Sequence, residues 1–136
     1  MSYGVSAALQ TGVYQLLSND ATLTGLVGTA IYDALPSGTL PGTFVSLGPE
    51  IARDRSDKTG GGASHYFTIS VVTDDAGFHA AKGVAAAIND ALVDASMTLS
   101  RGNLVGLYFD RATASREGTG LVRRIDLRFH ARVQDD

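Results

Sequence analysis

The chain has no cysteine. That excludes disulfides and thiolate metal sites, and it makes a cytoplasmic origin the simple expectation. No apolar run approaches the roughly 18 residues that a membrane span needs. The first residues lack the basic start and apolar segment of a secretion signal. Positive charge is also scarce. The net charge is −3 with no long basic run, which argues against affinity for nucleic acid as the main task. Proline and tryptophan are rare or missing. Glycine is plentiful, at 16 in 136 residues, and falls mostly in segments that read as loops. The length suits one domain, residues 1–136, around one core.

The stretch around which the rest is organised is His65 to Leu92, HYFTISVVTDDAGFHAAKGVAAAINDAL. Phe67, Ile69 and Val71 alternate with Thr68, Ser70 and Val72, the period of a strand with one buried face. Asp74-Asp75-Ala76-Gly77 turns the chain, and an aspartate stands where a helix N-cap is wanted. Ala81, Val84, Ile88, Ala91 and Leu92 then form one helical stripe. Gly83 costs about 1 kcal/mol relative to alanine inside a helix, so it signals close packing or contact with another chain.

Upstream, residues 3–18 read as an amphipathic helix buried through Val5, Ala8, Leu9, Gly12, Val13, Leu16 and Leu17. Ser18-Asn19-Asp20 ends it or caps a short turn through Leu23 and Leu26. Ala30 to Asp33 is a short strand or link, and Pro36, Gly38, Pro41 and Gly42 mark a loop. Thr43 to Gly48 is a strand with Val45 and Leu47 on one face and Phe44 on the other. Pro49 to Ala63 shows no periodicity and carries Glu50, Arg53, Asp54, Arg55, Asp57 and Lys58. Long loops of that kind are uncommon in compact domains. It reads as a mobile hairpin between two strands, with room for its stems to be extended, or as an arm that orders against a neighbouring subunit.

Downstream, Ser96 to Gly102 is a polar connection. Asn103 to Thr113 is a strand with Val105, Leu107 and Phe109 on one side and Tyr108 and Asp110 on the other. Ser115 to Gly120 is a hairpin turn. The last strand alternates most cleanly. Leu121, Arg123, Ile125, Leu127, Phe129, Ala131 and Val133 share one face, and Val122, Arg124, Asp126, Arg128, His130 and Arg132 share the other. The expected fold is α+β: a largely antiparallel sheet of about four main strands with two helices packed on one face.

No catalytic constellation emerges. His65, His79 and His130 match no zinc spacing, and a helix-capping role accounts for Asp74 and Asp75 beside His79. There is no G-x-S-x-G elbow, so Ser46 and Ser70 read as ordinary strand residues. The glycines at 60–62 precede a strand and offer no helix N-terminus to a phosphate. No cofactor is expected. The arginines of the last strand interleave with Asp126, and Tyr108 is the one aromatic nearby. That favours a solvated face or a subunit interface over nucleic-acid binding. Candidate interface residues are Arg53, Asp54, Arg55, Asp57, Lys58, Arg124, Arg128 and Arg132.

Taken in order, SAALQTGVYQLLSN, IYDALPSG, TFVSLG, the central strand and helix, LVGLYFDRATASREGTG and the arginine-rich last strand are similar to one family. The chain resembles the tail terminators, or tail completion proteins, of long-tailed phages, most closely the version in gene transfer agents. The resemblance covers nearly the whole chain and rests on order, spacing and length, because the motifs are structural. It implies no enzymatic activity and a structural role. Such proteins form a ring, typically a hexamer, that ends tail-tube polymerisation and presents a docking surface to the head. The implied partners are further copies of the chain, the tail tube protein and the head–tail connector or stopper. DNA passes through the ring without being read, and no membrane is involved. The implied location is the bacterial cytoplasm during assembly, then the neck of a phage or phage-like particle. A stopper or adaptor of the same neck, a small enzyme using His79 with Asp74 or Asp75, and a monomeric binding domain are the alternatives.

Overall fold

In the computed structural model, five strands form one sheet in the order β1-β2-β3-β5-β4. The structure describes residues 3–56, 61–118 and 122–135. The strands are β1 (Ile31–Tyr32), β2 (Thr43–Asp54), β3 (Gly61–Thr73), β4 (Asn103–Glu117) and β5 (Val122–Asp135). β1 runs parallel to β2, and every other pairing is antiparallel. Three helices accompany them: α1 (Ser6–Ser18), α2 (Ala21–Val27) and α3 (His79–Leu92). The expected α+β fold is therefore present, with one more short strand and one more short helix at its margins.

The core lies between the helices and one face of the sheet. Ile69 and Val71 of β3 meet Leu127 and Ile125 of β5 in register, and Phe67 meets Phe129. Leu9, Val13 and Leu17 of α1 and Val84, Ile88 and Leu92 of α3 close over them. Fully burying one such side chain stabilises by about 1.5–3 kcal/mol, so the period-two and helical stripes together fix how the layers stack. Gly12 has a packing reason. A Cβ there would stand 2.9 Å from Met97 Sδ and 3.2 Å from Leu99 Cδ2, so the segment after α3 lies close on α1. That segment is not merely a polar connection, because Leu99 is buried.

Several expectations are corrected. The run from Pro49 to Ala63 is mostly paired: Glu50 to Asp54 belong to β2, and Gly61 to Ala63 to β3. A register shift between Leu47 and Glu50 hides the pattern. The extra residues change phase, so Leu47 and Glu50 point to the same face and no continuous alternation survives. Its described part therefore forms the extended stems of a hairpin. β4 likewise shifts between Leu104 and Gly106 and between Phe109 and Arg111. Leu107 alone of the three expected inner residues is buried, while Val105 and Phe109 remain exposed. β4 also continues to Glu117, beyond the expected turn at Ser115. Asp20 does cap α2, accepting from the Leu23 N–H at 2.9 Å. Leu26, however, faces solvent while Leu23 is buried. Neither Asp74 nor Asp75 caps α3: Phe78 holds that position with no side-chain cap. Gly77, at φ +78°, turns the chain late and carries both aspartates too far upstream.

Candidate functional site

Among the described residues, no layer covers the face of the sheet away from the helices, and its residues form ordered cross-strand rows. Ile51, Tyr66, His130 and Tyr108 lie in register across β2, β3, β5 and β4. Arg53, Ser64 and Arg132 lie in the row on one side. Thr68, Arg128 and Arg111 lie in the row on the other. The alternation of β3 and β5 produces this arrangement directly, because every second residue must leave the core.

The aromatic row is a packed ladder. The Tyr66 and His130 rings stack with centroids 4.5 Å apart and planes 8° from parallel. Tyr108 tilts against His130 at 5.9 Å, and its hydroxyl end lies over Gly106, where a Cβ would collide with it. The Arg128 guanidinium sits 4.6 Å over the Tyr66 ring. Its Nε lies 3.2 Å from Asp110 Oδ2, an ion pair without hydrogen-bond alignment. Burial pushes the His130 imidazole below its ordinary pKa. Asp110 opposes that shift, and Arg132 and Arg55 reinforce it. The ladder therefore contains a neutral imidazole beside permanent cations.

A second network closes around Arg124. Its guanidinium donates to Asp126 at 2.9 Å, to Glu117 at 2.8 Å and to Ser70 at 3.2 Å. Ser70 in turn donates to Asp126 at 2.6 Å. The Asp126 carboxylate raises the Arg124 pKa above its ordinary value, desolvation opposes it, and Glu117 reinforces it. A shallow cleft between the network and the ladder is lined by Thr68, Ser70, Arg111, Arg124, Asp126 and Arg128.

The candidate interface residues divide on inspection. Arg124, Arg128 and Arg132 share the open face, and Arg53 joins them through its row. Arg124 and Arg128 are half-buried in contacts within the chain, whereas Arg132 and Arg53 are exposed. Asp54 points to the opposite face and binds Ser56 at 2.6 Å. Arg55 follows β2, its N–H bonded to the Gly62 carbonyl at 2.7 Å. Asp57 and Lys58 lie outside the described residues. Sequence reasoning missed Tyr66 and Arg111. Tyr66 shares the parity of Thr68 and Ser70 and was legible from that alone. The register shift at Asp110 disguises the direction of Arg111.

A polar cluster inside the core was also missed. Glu50 accepts from Ser6 Oγ at 2.8 Å and lies 2.9 Å from His65 Nδ1. His65 is fully buried, its Nε2 has no partner among the described residues, and Tyr3 stacks on its ring at 6.1 Å. Burial pushes the Glu50 carboxyl up, but hydrogen bonds from His65, Ser6 and Tyr3 outweigh it and hold the group below its ordinary value. Both Ser6 and His65 bind the carboxylate and not each other, so no imidazole activates the hydroxyl. The cluster ties the start of α1 to β2 and β3. Among the described residues, no group of histidines and carboxylates could hold a metal ion. His79 is exposed at the first position of α3, with no hydrogen bond to Asp74 or Asp75.

The molecule thus offers an organised surface on its open sheet face. No curated protein sequence matches the chain. A chain in the solved structure of the virion of a native gene transfer agent (GTA) particle is 62% identical, with a TM-score of 0.94. The similarity covers 98% of this chain and 99% of that one. The profile of the tail completion protein gp17 family matches residues 11–134. The chain belongs to this structural, non-enzymatic family of tail completion proteins.

Proposed function

We propose that the protein is a tail terminator, a neck component of a phage-like particle that closes the finished tail tube and joins it to the head. The observation that carries this reading is the end-to-end similarity to a chain of the GTA virion, at 62% identity. On this reading the protein acts as a homo-oligomeric ring, a hexamer, with the tail tube protein on one side and the head–tail connector or stopper on the other. DNA passes through without base-specific contact. The chain is placed in the bacterial cytoplasm during assembly and in the neck of the particle afterwards.

The open sheet face supports a docking role. It is rigid, because the aromatic ladder and the Arg124 network fix its side chains. It also presents exposed arginines suited to carboxylates on a protein partner. Arg53, Arg55, Arg124, Arg128 and Arg132, with Asp54 and, by their place in the sequence, Asp57 and Lys58, are the residues we assign to subunit or partner contacts. Of these, Arg124 and Arg128 act by shaping the surface, and Arg53 and Arg132 by touching what binds.

The test is removal of the gene from a producing cell, followed by electron microscopy of the products. Unjoined heads and tails with tubes of abnormal length are expected. Unjoined tails of normal length would instead make the protein a stopper, and normally joined particles would overturn a neck role altogether.

A further inference from the structure

The two sides of the molecule differ in charge. Five of the nine arginines, Arg53, Arg111, Arg124, Arg128 and Arg132, lie on the open face of β2, β4 and β5, whereas Arg116 and Arg123 share a helix-facing row, where Arg123 donates to the Asp75 carbonyl and lies over Phe78. Residues 1–49 contain neither lysine nor arginine, and residues 74–98 contain only Lys82. The helical side instead exposes Asp33, Asp75, Asp90 and Asp94. None of these makes an ion pair among the described residues, and neither do the exposed Arg53, Arg111 and Arg132.

Both sides hold charges at a cost to the fold. Arg111 stands directly opposite Arg128 across β4 and β5. Like charges in that position destabilise a sheet unless an anion lies between them. Asp110 pairs with Arg128, and Arg111 makes no ion pair among the described residues. On the helical side, Asp90 occupies the last turn of α3, where no basic residue is present. A carboxylate there opposes the helix dipole. Folding explains neither placement, and the two patches face away from each other within one chain.

We propose that the arginine-bearing open face of one copy docks on the acidic helical side of the next copy, head to tail. The opposite signs select this arrangement. A two-fold contact through either face would set like charge against like, whereas a heterologous contact repeats the favourable pairing from copy to copy, and a rotation between successive copies closes it into the ring. Arg53, Arg111 and Arg132 supply the cations, and Asp33, Asp90 and Asp94 the carboxylates. Such a contact weakens as salt rises, because its charges are at the surface. The inference rests on the ring reading above and assigns the contact within that ring.

The experiment complements a producing cell that lacks the gene with reversed chains. One chain carries Arg53→Glu, Arg111→Glu and Arg132→Glu, and the other carries Asp33→Lys, Asp90→Lys and Asp94→Lys. Each alone is expected to lose joined particles, and the two expressed together to restore them, because each then offers the charge the other lacks. Circular dichroism melts of the purified chains check folding. If a triple variant unfolds, the single variant Arg111→Glu replaces the first chain and the single variant Asp90→Lys the second. Joined particles from either reversed chain alone would overturn the contact while leaving the ring reading, which the gene deletion tests, untouched. Loss in both without mutual rescue would also overturn it, and would assign the arginines to another occupant such as the DNA phosphates.

Discussion

The two faces of one sheet obey different rules. On the helix side, β3 and β5 contribute Phe67, Ile69, Val71, Ile125, Leu127 and Phe129, and their packing sets the fold. On the open side the same strands contribute Tyr66, Ser70, Arg124, Asp126, Arg128 and His130, joined by stacking and ion pairs. The inner face is held by excluded water, which is non-directional and large in sum. The outer face is held by directional contacts that are individually small because solvent screens them. A strand built this way can alter its outer chemistry with little effect on the fold. That freedom is what an assembly surface needs.

Adjacent residues give the sharpest test of this contrast. Phe129 is fully buried against Phe67 and Phe109. Phe129→Ala is expected to cost about 3–5 kcal/mol through lost transfer and a residual cavity. Arg128, one position earlier, points outward, and Arg128→Ala is expected to cost about 1 kcal/mol as its contact with Tyr66 disappears. Urea denaturation of both variants measures the two values. Equal losses would mean that the open face is as much a part of the core as the covered one.

The faces should also respond to pH in separate windows. His130, on the open face, has its native pKa held below 6.5. As pH falls below that value the unfolded chain takes up the proton first, so stability drops there. Above 6.5 the contribution is fully present. Glu50, inside, has its native pKa held below 4.5. Its contribution is present above 4.5 and is lost as pH falls through the native value. Glu50→Ala, which removes the partner of the buried His65 Nδ1 and of Ser6 Oγ, is expected to cost about 1–3 kcal/mol. Glu50→Gln retains an acceptor for Ser6 and His65, so it should fold and flatten only the acidic window. His130→Asn should flatten only the window near neutrality. Chemical denaturation across the pH range reads both, and a variant that flattened the other window would refute the assignment of that window to its residue.

The sequence carried the two faces unevenly. Wherever alternation ran unbroken, as in β3 and β5, the inner and outer residues were readable one by one. It failed where a register shift changed the phase. The shift after Leu47 concealed the rest of β2 and turned Glu50 inward, and those in β4 moved Val105 out of the core and disguised Arg111. The Ser6–Glu50–His65 cluster was invisible because its members come from three elements, and only the tertiary fold brings them together. The arginine row of β5 was legible as a surface. Its division into half-buried Arg124 and Arg128 and exposed Arg132 depends on neighbours contributed by β3 and β4.

Gly83 gives the smallest predicted effect and the finest discrimination between folding and assembly. It sits inside α3, exposed, and an added Cβ would meet nothing within 4 Å. Close packing within the chain, one of the two expectations for this glycine, is thereby excluded. With the space open and the backbone helical, Gly83→Ala is expected to stabilise the isolated chain by about 0.4–1 kcal/mol, chiefly by restricting the unfolded state. Thermal melts measure that gain, and a loss would mean that the helix surface there is not free. The same variant in a producing cell separates the remaining explanations. If joined particles form normally, the glycine serves no contact that a methyl group disturbs. If the more stable chain yields fewer joined particles, the methyl group obstructs a surface used only in the assembled neck, and α3 carries part of that contact next to Asp90.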